Sequence, residues 1–273
     1  MSEQPMSNNQ QMTLKDKFLN HEECLDCGKP ETWPNYVQAL ELTEDDIPEL
    51  IYFATIDDGD EMYDERIFAC RALGQLKALS AVSPLINFLE KVSLYDDWAY
   101  EEIPIVFSLM GPDTKPIVQD YVMNNKNSVS RRIAFTNYFR FLVRYYPEQR
   151  ESIIHFLVEQ LAKPTLSEDD RTLNGFFICE LCDLKAVEVA QEIEQAFINK
   201  RVDLAIIGNW DDAQVSLGLK KRIEVSLERL AKGLDRFDYR YVTRFQPKGF
   251  GDPFATYNAK SKKHKSKKQK KKK

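Results

Sequence analysis

The sequence has few of the parts from which hydrolytic active sites are built. It holds three histidines, and no G-x-S-x-G, Gly-rich phosphate loop or H-E-x-x-H occurs. His264 lies in a run of lysines, and His155, between Ile154 and Phe156, reads as a packed or half-exposed helical side chain and not as a base. The GxG-like stretch at 249–251 precedes Asp252 and Pro253, so it reads as a turn. No apolar run approaches the roughly eighteen residues that span a bilayer, and the first twenty residues lack a basic start followed by an apolar core. Neither a membrane span nor a secretory signal is expected. Five cysteines, an odd number without a dense framework, read as the reduced thiols of a cytoplasmic protein. Sustained two-residue alternation is almost missing before residue 237, which argues against strands.

Charge is unevenly divided. Residues 260–273 hold ten lysines and no acidic side chain. The other 259 residues carry 28 Lys and Arg against 43 Asp and Glu, a net charge of −15. An acidic body should not bind nucleic acid over its general surface, whereas a polycationic tail has generic affinity for RNA and other polyanions.

Helical periodicity dominates what is present. Residues 66–89 place Ile67, Cys70, Leu73 and Leu76, then Val82, Leu85, Ile86 and Leu89, on the faces of two short helices joined by a turn. Upstream, Thr43 with Asp46 resembles a helix cap before Ile47, Leu50, Ile51 and Ala54. Downstream, helices are expected over 98–110 and from Pro112 onward. Further helices are expected over 129–146, after Pro147, over 173–184, over 187–198 and over 220–234. The turns within pairs fall near Gly74, Gly111, Tyr146 and Cys182, at separations of 37, 35 and 36. That period, with two helices per unit, is the signature of an α-solenoid.

The stretch ALGQLKALSAVSPLINFL resembles the bacterial HEAT-like repeat of the phycobilisome-lyase type. With WPNYVQALELTEDDIPELI, WAYEEIPIVFSLMG, TLNGFFICELCDLKAVEVA and GNWDDAQVSLGL, the chain resembles an uncharacterised family of bacterial HEAT-like proteins over roughly residues 33–220. The resemblance implies an all-α, right-handed superhelical solenoid of the kind used by scaffolds, adaptors and some chromophore lyases. No lyase motif is found, and fold does not fix function. The expected organisation is a disordered start at 1–12, a solenoid over 13–219 with an irregular N-terminal cap, a capping helix and aromatic-basic extension at 220–258, and a disordered lysine tail at 259–273.

Several clusters invite a functional reading. His21, Cys24 and Cys27 form H-x-x-C-x-x-C, a spacing that suits a zinc knuckle but lacks a local fourth ligand. Cys179 and Cys182 lie among apolar residues and read as core, so no cofactor is expected, with zinc at the first cluster as the alternative. Acidic groups recur between units: Asp57, Asp58, Asp60 and Glu61; Asp96, Asp97, Glu101 and Glu102; Glu168, Asp169 and Asp170; Asp211 and Asp212. Their plain role is to satisfy helix N-termini. Stacked in a solenoid, they would also line an acidic edge, so the candidate partner-binding set is Asp57, Asp58, Asp96, Asp97, Trp98, Tyr100 and Glu101. The aromatic-basic stretch at 236–257 reads as a seal over the last repeat before it reads as a base-stacking platform. Lys262, Lys263, Lys265, Lys267, Lys268 and Lys270 are the candidate RNA or ribosome contacts. The expected function is a non-enzymatic scaffold for an unidentified protein partner, with an RNA-associated protein as the alternative.

Overall fold

The computed structural model describes residues 13–19, 30–56, 63–93 and 97–222. Their regular secondary structure is helical, with no strand among the described residues. No helix among them is long and apolar enough to cross a membrane. The chain divides into two compact units, Met1–Asn209 and Trp210–Lys273.

Among the described residues, the first unit has α1 (Leu14–Leu19) and then five helix pairs: α2 (Tyr36–Ala39) with α3 (Ile47–Thr55), α4 (Tyr63–Gln75) with α5 (Val82–Leu89), α6 (Asp97–Met110) with α7 (Lys115–Met123), α8 (Val129–Ala134) and α9 (Asn137–Tyr145) with α10 (Arg150–Ala162), and α11 (Glu168–Asp183) with α12 (Ala190–Ile198). It ends with α13 (Leu204–Ile207). Each second helix is entered through one 3-10 turn: Glu44–Asp46, Leu79–Ala81, Pro112–Thr114, Pro147–Gln149 and Val187–Val189. Asp46 accepts from the Thr43 N–H at 2.7 Å, as the sequence led us to expect.

Among the described residues, four helix ends close on a left-handed residue that is not glycine: Glu41, Lys77, Lys185 and Lys200. In each, the next amide reaches back to a carbonyl five residues earlier, as in Leu42 to Val37 at 2.9 Å and Ala78 to Leu73 at 3.0 Å. This is the Schellman closure, in which the turn accepts the cost of a Cβ at positive φ to satisfy helix-end carbonyls. Gly74 has a different job. It sits inside α4, where an added Cβ would lie 3.2 Å from Val106 Cγ1 and 3.3 Å from Val106 O, so it sets the close approach of α4 to α6.

First helices pack on first helices: α2 on α4, α4 on α6, α6 on α8 and α9, those two on α11, and α11 on α13. Among second helices, α3 packs on α5 and α10 on α12. Basic and phenolic side chains from later elements then cap the C-terminal ends of second helices. Arg66 Nε donates to Ile56 O at 3.1 Å, Arg131 Nη2 to Glu90 O at 2.6 Å, Arg132 Nε to Val122 O at 2.6 Å, and Arg201 Nη1 to Ala162 O at 2.9 Å. A cation at a helix C-terminus meets orphan carbonyls and the negative end of the dipole, so each contact both ends a helix and joins it to a neighbour.

The single helix expected over 129–146 is broken. Phe135 and Thr136 make tight three-residue bonds to Arg132 and Ile133, and the Thr136 hydroxyl turns back on Ile133 O at 2.8 Å. A threonine that spends its side chain on the preceding turn competes with helix propagation. Residue 175 makes a second close approach: an added Cβ would lie 2.8 Å from Ile206 Cβ. Gly175→Ala is therefore expected to cost about 1–3 kcal/mol by pushing α13 off α11. Urea titration should show the loss, and Ile206→Ala in the same chain should recover part of it.

Of the second unit, α14 (Trp210–Leu217) is described; it ends at Gly218, and Lys220 Nζ lies 3.3 Å from Asp211 Oδ1. The expected helix over 220–234, the aromatic-basic extension and the lysine tail lie outside the described residues.

Candidate functional site

Two arginines on the first helices reach forward to a carboxylate on the next one, and they differ in what covers them. Arg71, in the last two turns of α4, donates from Nε and Nη2 to the two oxygens of Glu102 on α6, at 2.8 and 2.7 Å. Both side chains are 0% exposed. Its Nη1 donates to Tyr36 Oη at 3.1 Å, and the Trp33 ring lies over the guanidinium with the carbon 4.6 Å from the centroid. Burial opposes the Arg71 cation, but the hydrogen bond and charge of Glu102 outweigh it, so its pKa is raised. Segment 30–36 is pinned over this pair from outside. Gln75 accepts from Tyr36 N at 2.8 Å and donates to Pro34 O at 2.8 Å, closing the N-terminus of α2 from another helix.

Arg140, in the last two turns of α9, approaches Glu180 on α11 with one nitrogen, Nη1, at 3.1 and 3.4 Å from the two oxygens. The same nitrogen is 3.6 Å from Asp183 Oδ2. Phe141 takes one face of the guanidinium, 4.9 Å from the ring centroid, and the Arg140 side chain stays 29% exposed. It opens onto a depression of about 350 Å³ shared with Arg144, Arg150, Val143 and Leu184. Burial pushes the Glu180 carboxyl up to about 8, with the Arg140 charge working against it and Asp183 adding to it. Around it, burial also raises the thiols of Cys179 and Cys182, the latter to about 12. Cys70, beside Arg71, is raised by burial and by the Glu102 charge. These thiols are held protonated, which suits packing and not nucleophilic chemistry.

A family model described as "Protein of unknown function (DUF1186)" matches residues 27–242, most of the chain. The chain belongs to the DUF1186 family. No curated protein and no solved structure matches it. The DUF1186 span includes both arginine–glutamate contacts, and of the three zinc candidates it includes Cys27 alone.

The residues singled out in the sequence fall unevenly in this frame. Asp57, Asp58 and Asp96 lie outside the described residues, as do His21, Cys24, Cys27 and the lysines from Lys262 to Lys270. Asp97 is the first residue of α6. Trp98 is 3% exposed, its ring 6.2 Å from that of Tyr63, so it belongs to the core and presents no surface to a partner. Tyr100 is half-buried, and its hydroxyl donates to Leu89 O at 3.4 Å, at the end of α5. Glu101 is half-buried, whereas Glu102, assigned to the acidic edge, is the fully buried partner of Arg71. Asp170 caps α11 as the plain reading has it, accepting from Ser167 N at 3.1 Å. His155 is exposed and pairs with Glu159 at 3.2 Å. Among the described residues, no group of three His, Cys, Asp or Glu is placed to hold a metal.

Sequence reasoning missed both arginine–glutamate contacts, whose partners stand 31 and 40 residues apart. One local signal existed for the first. Arg71 sits among Cys70, Ala72 and Leu73, all buried, on a helix with almost no exposed face. A charge there has to be paired.

Proposed function

We propose that residues 30–209 form a HEAT-like α-solenoid that works as a non-enzymatic cytoplasmic scaffold or adaptor, holding a protein partner against its first helices. The observation that carries this reading is the seating of segment 30–36 on that surface. A short stretch of polypeptide, a 3-10 turn at Pro30–Thr32 followed by Trp33 and the first residue of α2, Tyr36, lies over Arg71 with Trp33 and Tyr36 as anchors and is tied down by Gln75. A surface that already seats a short aromatic-bearing segment in this way suits taking one from another protein. The successive packing of first helices supports the solenoid, since such stacks build extended binding surfaces from repeated units. The protonated state of the Cys70, Cys179 and Cys182 thiols supports a non-catalytic role.

The second reading, an RNA- or ribosome-associated protein, rests on the ten lysines of residues 260–273. Affinity capture from native lysate with the full chain and with a chain ending at residue 259 separates the two. The scaffold reading expects the same protein partner from both baits, with salt-sensitive RNA retained by the full chain alone. Absence of a specific protein from both baits would overturn it.

A further inference from the structure

We infer that the depression at Arg140 is a docking site for a short, acidic segment of a partner protein that carries an aromatic side chain. The inference rests on the scaffold reading and names the site and the ligand chemistry within it.

Three observations point to this occupant. The first is a precedent inside the molecule. Arg71 and Arg140 occupy corresponding places near the ends of first helices, and each reaches a glutamate on the next first helix. At Arg71 an indole covers the guanidinium and a phenol accepts its remaining nitrogen. At Arg140 a single nitrogen serves both carboxylates, and the group opens onto the depression. The second observation is continuity. The covering segment does not stop at Arg71, because Glu31 Oε2 lies 3.4 Å from Arg144 Nη1 at the rim of the same depression. The acidic end of a chain-borne ligand thus already marks where a partner's carboxylate would sit.

The third observation is charge. Arg140, Arg144 and Arg150 converge on the depression, with Asp183 as the opposing carboxylate in its lining. The rim pairs are exchangeable: Arg144–Glu31 is 51% and 50% exposed, and Arg150–Glu188 is 39% and 46% exposed. Exposed pairs of this kind contribute about 0–1 kcal/mol, so a ligand carboxylate can replace one at little cost. Burial raises the Glu180 carboxyl against the pull of Arg140, which weakens its hold on the guanidinium. Arginine is suited to both contacts, forking onto a carboxylate and stacking under an aromatic ring.

The test uses the intact chain and a fluorescent peptide copying residues 30–36, Pro-Glu-Thr-Trp-Pro-Asn-Tyr, with blocked ends. Anisotropy is expected to show saturable, salt-sensitive binding. Arg144→Ala with Arg150→Ala should weaken it about tenfold or more, as the loss of two charge-assisted contacts requires. Replacing the tryptophan of the peptide by alanine should weaken it similarly. Arg140→Lys, which keeps a cation beside Glu180 but removes the stacking plane, provides a second variant whose folding is checked by circular dichroism. Equal binding by the variants and the natural chain would overturn the site, as would no peptide binding at all. Tighter binding of an oligothymidylate at the same arginines would overturn the ligand class. A partner protein captured equally by the natural and doubly substituted chains would remove this site while leaving the scaffold reading intact.

Discussion

Replacing Arg71 by alanine is expected to destabilise the protein by about 3–5 kcal/mol. The side chain and its partner Glu102 are both fully buried, and the pair is bidentate. Removing one member leaves a carboxylate in the interior without its counter-charge, while the Tyr36 hydroxyl and the Trp33 ring lose the cation between them. Urea unfolding of the natural and substituted chains gives the difference directly. The double replacement Arg71→Met with Glu102→Leu is expected to recover most of the loss, because no charge is then buried. This contrast separates the energy of the pair from the cost of orphaning half of it. A single-substitution loss below about 1 kcal/mol would mean that the pair behaves as an exposed one and that segment 30–36 does not seal it.

The stability of the chain should fall as pH rises from about 5 to about 8, and Glu180→Gln should remove that slope. The Glu180 carboxyl is raised from 4.5 to about 8 in the fold, first by burial and then by Asp183, against the pull of Arg140. Between those values the folded chain keeps a proton that the unfolded chain releases. The native state therefore binds more protons, and the free energy of unfolding declines with pH until Glu180 ionises in the fold as well. The full contribution is on the order of 5 kcal/mol, present below about 4.5 and lost above about 8. Glutamine holds the same space without a charge, so the difference between the two chains, measured in urea at several pH values, isolates the group. A pH-independent difference would show that Glu180 is not buried as described.

These two residues also mark where the sequence could be read and where it could not. The helix pairs were legible because their signals are local: a Thr43–Asp46 cap, prolines at 112 and 147 opening second helices, and apolar stripes with a regular spacing. The turns were placed near Gly74 and Cys182 by a glycine and by periodicity, yet the chain reverses at Lys77 and Lys185. A left-handed lysine leaves no compositional mark, and Gly74 serves the approach of α4 to α6 instead. The break at Phe135 and Thr136 was hidden by an unbroken run of helix-compatible residues.

The candidate site was less legible for a physical reason. An acidic cluster at a helix start reads the same whether its members face solvent or the interior, so Glu102 was grouped with Asp96, Asp97 and Glu101. Only the packing of α4 on α6 shows which carboxylate is buried against Arg71. Likewise Trp98 carries the composition of a binding residue and the burial of a core one.

Photo-crosslinking in native lysate, with Leu184→p-benzoylphenylalanine compared with Tyr52→p-benzoylphenylalanine, tests partner docking at the depression most directly. Leu184 is a half-buried residue lining the depression and leaves Arg140, Arg144 and Arg150 in place, and Tyr52 is an exposed position on α3. One protein adduct is expected at residue 184 and none at residue 52, with the crosslinked peptide acidic and bearing an aromatic side chain. No protein adduct at residue 184, or the same adducts at both positions, would rule out docking there.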